Sequence, residues 1–218
     1  MKVLIVRTWP DQLNTDSYNV QEIGLAQALM DMGYLCDIVL FQTKGKSRCE
    51  KRADGITIYW RRGINLLRNG LFPGIREIAK QYDVIQVHEY DQIQSWLLYT
   101  FPRKLKVVIY HGPYFSTFNH GYNAKCSVFD RTFLKLSRRA QKRTICLTKS
   151  PLAKDFLENK GFSRVYSVGV GMNTAPFEQM ASGSNRIADT MKQYQFNGIY
   201  VWKLEPRRKI PFWRTVAT

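Results

Sequence analysis

Two histidines of this chain stand at the ends of apolar runs, each beside a residue that shapes what it can do. His111 closes Val107-Val108-Ile109-Tyr110 and precedes Gly112, a residue that lets the backbone turn sharply. A neutral imidazole there can accept or donate one hydrogen bond to a hydroxyl. The plainer alternative is a partly buried histidine satisfied by backbone. His88-Glu89 ends a neighbouring run and either lines the substrate side of a cleft or is a solvated strand-end pair. Asn14, Tyr18 and Asn19 occupy the loop and first turn after the opening run, where free N–H groups at a helix start can meet a phosphate. Asn19 is first of all a plain helix cap.

These positions need a scaffold, and short β-rich runs alternating with helical patterns supply it. The runs cover residues 2–6, 35–41, 56–60, 84–88, 106–110, 144–148 and 164–168. Several are continuously apolar, as strands covered on both faces must be. One helix follows the first run: Asn19 and Glu22 have capping-box spacing, Leu25, Leu29 and Met32 share a face, and Gly33 stands where a helix should stop. A second pattern covers about 124–142 with Phe129, Phe133, Leu136 and Ala140 on one side. A third begins at Ser150-Pro151 and ends at Gly161. The alternation predicts an α/β fold, a Rossmann-like open parallel sheet with helices on both faces. Ligands of such sheets bind beyond the carboxyl ends of the strands. That directs attention to Thr8, His88-Glu89, His111-Gly112, and Gly169 with Gly171.

Composition narrows the partners. At 218 residues, 44% apolar and 13% aromatic, the chain can bury a sizeable core, and its net charge of +16 favours a polyanion or an anionic surface. Opposite the apolar side of the second helix run Arg131, Lys135, Arg138 and Lys142, just after the aromatic Tyr114, Phe115, Phe118 and Tyr122. The stripe suits an anionic membrane surface, or is a solvated helix face. Nucleic acid is the weakest partner, since no helix-turn-helix, RNA-recognition or zinc-finger signature is present. Cys36, Cys49, Cys126 and Cys146 form no CxxC pair and read as reduced thiols, with no metal site and a cytoplasmic location expected. There is no phosphate-binding G-x-x-x-x-G-K-[ST] loop, no signal-peptide core and no apolar stretch long enough to span a bilayer.

The chain resembles glycosyltransferase family 4, whose GT-B fold sets two Rossmann-like domains across a cleft. The resemblance rests on Tyr18-Asn19-Val20-Gln21-Glu22-Ile23-Gly24-Leu25-Ala26 and on Met32-Gly33-Tyr34. It continues through Asp83-Val84-Ile85-Gln86-Val87-His88-Glu89 and Val108-Ile109-Tyr110-His111-Gly112. The most specific segment, Gly169-Val170-Gly171-Met172-Asn173-Thr174-Ala175-Pro176-Phe177, is similar to the family's crossover into the second domain, with Asn173 at the usual aspartate. Tyr200-Val201-Trp202-Lys203-Leu204-Glu205-Pro206 is similar to the strand that opens that domain. The departures are a first loop without glycine, Trp202 at a usual glycine, and Arg208 at a usual lysine.

The resemblance implies a retaining transfer of a hexosyl group from a nucleotide-diphosphate sugar to a surface-glycan or lipid-linked acceptor, without cofactor or metal. It implies that His111 contacts the donor sugar, and that Lys203 and Arg208 neutralise the donor diphosphate, if they are not simply surface charges of a basic tail. The expected division is a first, acceptor-side domain over 1–178, a crossover over 179–197, and over 198–218 the first strand and partial helix of a donor domain. The family's E-x7-E motif would lie past Thr218, so the chain by itself is expected to be an inactive, truncated half; a carboxyl-terminal arm docked on the first domain is the other reading of the tail. The runner-up function is a non-catalytic binding module for a phosphorylated or acidic glycan. A lipid-linked acceptor would place the protein peripherally on the inner face of the plasma membrane.

Overall fold

Alternation along the opening strand sets the layers. In β1 (Lys2–Val6), Leu4 and Val6 join one buried cluster while Val3 and Ile5 join another. Successive side chains of a strand point to opposite faces, so this strand is covered on both sides. The computed structural model describes residues 1–15, 20–101, 105–115 and 120–171. All of these belong to one unit, Met1–Asn173; the second unit, Thr174–Thr218, lies outside the described residues. Tyr18, Asn19, Lys203, Arg208 and the expected crossover and donor segments therefore also lie outside them.

Among the described residues, β1 is joined by β2 (Leu35–Gln42), β3 (Arg48–Lys51), β4 (Thr57–Arg62), β7 (Val84–His88), β8 (Lys106–His111), β9 (Ile145–Thr148) and β10 (Arg164–Ser167) in one eight-stranded sheet. The order is β10-β9-β8-β7-β1-β2-β4-β3, and every pairing is parallel except β3 with β4. Chain direction across the sheet reverses at β1: one branch runs through β2 to β4 and the other through β7 to β10. This is the doubly wound α/β architecture, and its switch point lies between β1 and β7. A separate hairpin, β5 (Ile64–Leu66) and β6 (Asn69–Leu71), follows β4. Neither the hairpin nor β3 is predicted from the sequence. Arg48-Cys49-Glu50-Lys51 has no apolar run to betray it, because an edge strand needs only one neighbour.

Helices α1 (Gln21–Asp31), α2 (Ile75–Ala79), α3 (Ile93–Thr100), α4 (His120–Thr132), α5 (Arg138–Arg143) and α6 (Pro151–Asn159) cover the faces. The smaller cluster packs Ile23 and Ala26 of α1 against Val3, Ile5, Ile38, Leu40 and Ile58. The larger one gathers Leu4, Val6, Ile85, Val87 and Ile109 under Trp96, Leu98, Phe129 and Phe156. Ser150 caps α6 by accepting the Ala153 N–H at 3.2 Å, with Pro151 in the first helical position. Such a cap is worth about 1 kcal/mol.

Two helical expectations are corrected. α1 begins at Gln21 with Val20 at its cap position, and Glu22 is no capping-box partner; its carboxylate turns inward to Arg7. The chain ends α1 as expected at Gly33, whose φ of 82° is open to glycine, but Met32 is exposed rather than on the buried face. The second correction concerns the basic stretch, which is not one helix. A 3₁₀ turn, Leu134–Ser137, separates α4 from α5. There Leu136 N bonds Phe133 O at 3.1 Å, and the Ser137 hydroxyl donates to Leu134 O at 2.9 Å. The tighter turn buries Leu134 and leaves Leu136 exposed.

All four cysteines are free. Burial pushes the Cys36 and Cys146 thiols up to about 12 and, followed by the nearby Asp91, Cys126 to about 11; the neighbouring Asp37 adds to the effect at Cys36. Cys49 is exposed on β3. The thiolate is the nucleophile, so brief iodoacetamide treatment should give one adduct, at Cys49, on the folded chain. In denaturant all four should react, as read by intact and peptide mass spectrometry.

Candidate functional site

The register of β1, β7 and β8 delivers the polar residues to one end of the sheet. Val6 pairs with Val87 and His88 with Tyr110, so Arg7, Thr8, His88, Glu89 and His111 emerge at the carboxyl ends of three adjoining strands. Thr8 is fully buried and shares the switch point with Ser95 of α3. Both hydroxyls donate to His88 O, from Thr8 at 3.2 Å and from Ser95 at 2.7 Å. The hairpin braces the same tip from outside. Gly70 N bonds Thr8 O at 3.0 Å, and Asn69 Oδ1 accepts the Ile93 N–H at 2.9 Å at the start of α3.

On one side of this tip Arg7 Nη1 donates to Glu22 Oε1 at 2.6 Å, and His88 Nδ1 approaches the same oxygen at 3.5 Å. Burial would raise the Glu22 carboxyl, but His88 and Arg7 outweigh it and hold it below the ordinary carboxylate range. Burial holds the His88 imidazole below its usual value despite the attraction of Glu22 and Glu89. A neutral histidine anchored by a carboxylate can donate or accept at a substrate hydroxyl.

On the other side Glu89 takes a φ of 60°, unusual for a residue with a side chain. Its N–H still bonds Tyr110 O at 3.0 Å, and the turn lays its carboxylate against His111 Nδ1. Burial pushes Glu89 up, yet His111, Lys149 and His88 hold it lowered. His111 is fully buried, stacked on Phe156 at 5.6 Å with Tyr90 edge-on at 5.3 Å. Its Nδ1 pairs with the Glu89 carboxylate, a side-chain partner. The backbone-satisfied histidine of the alternative reading is thus not what the geometry displays.

Other expected residues divide. Gly112 donates its N–H to Glu89 Oε2 at 3.4 Å, but its backbone is not left-handed; a Cβ there would meet only the flexible Lys149 side chain. Gly169 joins the site through its carbonyl, which accepts from Tyr110 Oη at 3.1 Å. Gly171 is exposed with open space around it, and Asn14 is exposed in the loop after β1. Arg131, Lys135, Arg138 and Lys142 are all exposed, on α4, the 3₁₀ turn and α5. Residues not expected from sequence are Arg7, Glu22, Ser95 and Asp91. Asp91 is buried, with Lys125 Nζ 2.9 Å from Oδ2. No local periodicity marks it: β7 ends at His88, Glu89 is left-handed, and Tyr90-Asp91 form a turn that sends Tyr90 into the core.

No protein-family profile matches the chain, and no curated protein matches it. Among solved structures it is similar to one described as trehalose-6-phosphate from E. coli bound with UDP-2-fluoro glucose, at 11% identity and a TM-score of 0.47. The similarity covers 88% of this chain and 54% of that one, so this chain spans about half the length of the structure it matches.

Proposed function

We propose that the chain forms the acceptor-side wall of a two-lobed GT-B glycosyltransferase of the family 4 kind, which passes a hexosyl group from a nucleotide-diphosphate sugar to a surface-glycan or lipid-linked acceptor. The observation that carries this reading is the gathering of His88, Glu89 and His111 on adjoining strand ends beside the switch point. These are the positions at which the sequence resembles the family's cleft motifs. Thr8, Ser95 and the hairpin keep the strand tips rigid, which orients polar groups for a hydroxylic substrate. Residues 1–178 serve as the acceptor-side domain, 179–197 as the crossover, and 198–218 as the start of the donor side, with Lys203 and Arg208 against the diphosphate. Transfer with retention belongs to the same reading.

Calorimetric titration with UDP-glucose, GDP-mannose and a polyprenyl-phosphate-linked sugar tests it. At least one should bind, and His111→Ala or Glu89→Gln should weaken that binding about tenfold, the loss of one hydrogen bond in a buried site. Binding of none of the three, or no change in either variant with the fold intact by circular dichroism, overturns the reading.

The lipid-linked acceptor is favoured by the basic stretch. Val128 and Leu136 are exposed along it beside Arg131, Lys135, Arg138 and Lys142. Apolar side chains among cations suit an anionic leaflet, where each basic residue contributes about 1 kcal/mol. Co-sedimentation with phosphatidylglycerol vesicles at low salt should retain the chain, and Lys135→Glu with Arg138→Glu should release it. Equal retention by neutral phosphatidylcholine vesicles counts against it.

A further inference from the structure

The hairpin after β4 ends in a turn that its sequence does not favour. Leu66 pairs with Asn69, which leaves Leu67 and Arg68 as a two-residue loop with φ of 49° and 62°. Two successive positive φ values mark the turn that Asn-Gly adopts most readily, and a leucine and an arginine take it only at a conformational cost. Buried side chains enforce it. Asn69 Nδ2 donates to Leu67 O at 3.0 Å while its Oδ1 accepts from Ile93 N at 2.9 Å. The buried Gln92 amide satisfies both of its ends when its nitrogen donates to Arg68 O at 3.2 Å and its oxygen accepts from Lys125 Nζ at 3.1 Å.

The turn so held leaves Leu67 83% exposed, more than any other large apolar side chain among the described residues. Ile64 and Leu66, alternate residues on one face of β5, are exposed with it. The charges around this tip have one sign: no acidic residue stands between Asp54 and Glu77, and the stretch carries Arg61, Arg62, Arg68 and Arg76. A strained turn that is held in place only to set leucine in water points to function. We propose that the hairpin tip inserts Leu67 into an anionic lipid surface, with Arg62 and Arg68 on the headgroups. An apolar tip rimmed by cations matches that interface, where apolar side chains reach the acyl boundary and basic ones stay with the phosphates.

The inference adds a second surface to the membrane reading of the basic stretch and needs no sugar transfer. The two surfaces adjoin, because Gln92 ties the turn to Lys125 of α4, one helical turn before the exposed Val128. A single short apolar anchor holds a bilayer marginally, and stable attachment takes two signals. A bilayer held at this tip lies beside the strand-end site, since the same hairpin bonds Thr8 O through Gly70 N.

The full chain carrying Leu67→Asn with Arg68→Gly separates a lipid contact from a structural role, because Asn-Gly suits the turn. The double variant should have a higher urea midpoint than wild type, yet partition onto phosphatidylglycerol vesicles about tenfold more weakly, the effect of withdrawing roughly two methylene groups from the bilayer. A nitrobenzoxadiazole label is placed at Leu67→Cys in a Cys49→Ser chain, whose remaining native thiols are buried. Its emission should shift to the blue on these vesicles and be quenched by doxyl-labelled lipid. The same label at Met32→Cys, between α1 and the start of β2 and so at the opposite end of the sheet, should not respond. An unshifted label at Leu67→Cys on a chain that still sediments overturns the proposal and leaves the basic stretch as the contact. Unchanged partitioning of the double variant, or equal partitioning of wild type onto phosphatidylcholine, also overturns it. Failure of wild type to sediment at low salt overturns both membrane contacts, whatever the sugar titrations give.

Discussion

Gly63→Ala should destabilise the chain by about 3 kcal/mol or more, at the upper end of what overpacking costs. Gly63 joins β4 to the hairpin, and its N–H bonds Gln42 O at 3.1 Å. A Cβ there would collide with the Leu71 carbonyl oxygen, and would stand 2.9 Å from both the Leu71 carbonyl carbon and Phe41 Cε2. The obstacle is backbone across the hairpin and a phenyl ring that is 1% exposed, and neither can swing away. Gly70 closes over the same ring from the other strand, where a Cβ would lie 2.8 Å from Thr8 O and 3.0 Å from Phe41 Cδ2. To admit the methyl group the hairpin must lift, and lifting it removes the brace on Thr8 at the switch point. The variant should therefore lose both stability and any ligand binding that depends on the strand tips. Gly121→Ala is the control: nothing lies within 4 Å of its Cβ position, it is exposed in α4, and alanine there should add about 0.5–1 kcal/mol. Urea midpoints of the two variants should move in opposite directions. A Gly63→Ala midpoint at the wild-type value would show that the hairpin does not seat on Phe41.

Arg7→Met should cost about 3 kcal/mol at neutral pH, the lower end for removing one partner of a buried ion pair. Glu22 is 2% exposed and keeps its charge because His88 lies beside it and Arg7 donates to it at 2.6 Å. Without the guanidinium, His88 is the remaining neighbour at 3.5 Å, and burial keeps that imidazole from holding a proton readily. The pH dependence follows from the lowered carboxyl. A group depressed in the folded state contributes stability that is complete above its unfolded value, about 4.3 for glutamate, and is lost as pH falls through the folded value. In Arg7→Met burial acts unopposed by the guanidinium and the carboxyl rises. The deficit relative to wild type should then be largest at neutral pH and vanish only as pH falls through the lowered wild-type value, below the ordinary glutamate range, where both chains carry a protonated Glu22. Adding Glu22→Gln should restore most of the loss at neutral pH, since a neutral amide costs less to bury than an unpaired carboxylate. A deficit that stays constant with pH, or persists in the double variant, would remove Glu22 as its origin.

Gly63, Arg7 and Glu22 carry no functional mark that local patterning could show, and the reason is physical. Apolar runs such as Val84-Ile85-Gln86-Val87 and the stop signals at Gly33 and Gly161 act over a few neighbouring residues, and the strands and helices built from them lie where local patterning predicts. His88, Glu89 and His111 were legible for the same reason, because a polar residue closing an apolar run in a parallel sheet must emerge at its carboxyl end. Arg7 with Glu22 and Thr8 with Ser95 meet across 15 and 87 intervening steps of chain. No local pattern records such partners. Glu22 had the spacing of a helix cap, and only the packing of α1 over β1 turned it toward Arg7. Leu136 had the spacing of a core residue until burial of Leu134 tightened the turn beneath it. Local propensity and periodicity therefore determine which elements form and which ends of them are polar. Strand order and helix packing decide which of those polar ends share a buried space, because desolvation and charge pairing act between surfaces that only the folded chain brings together.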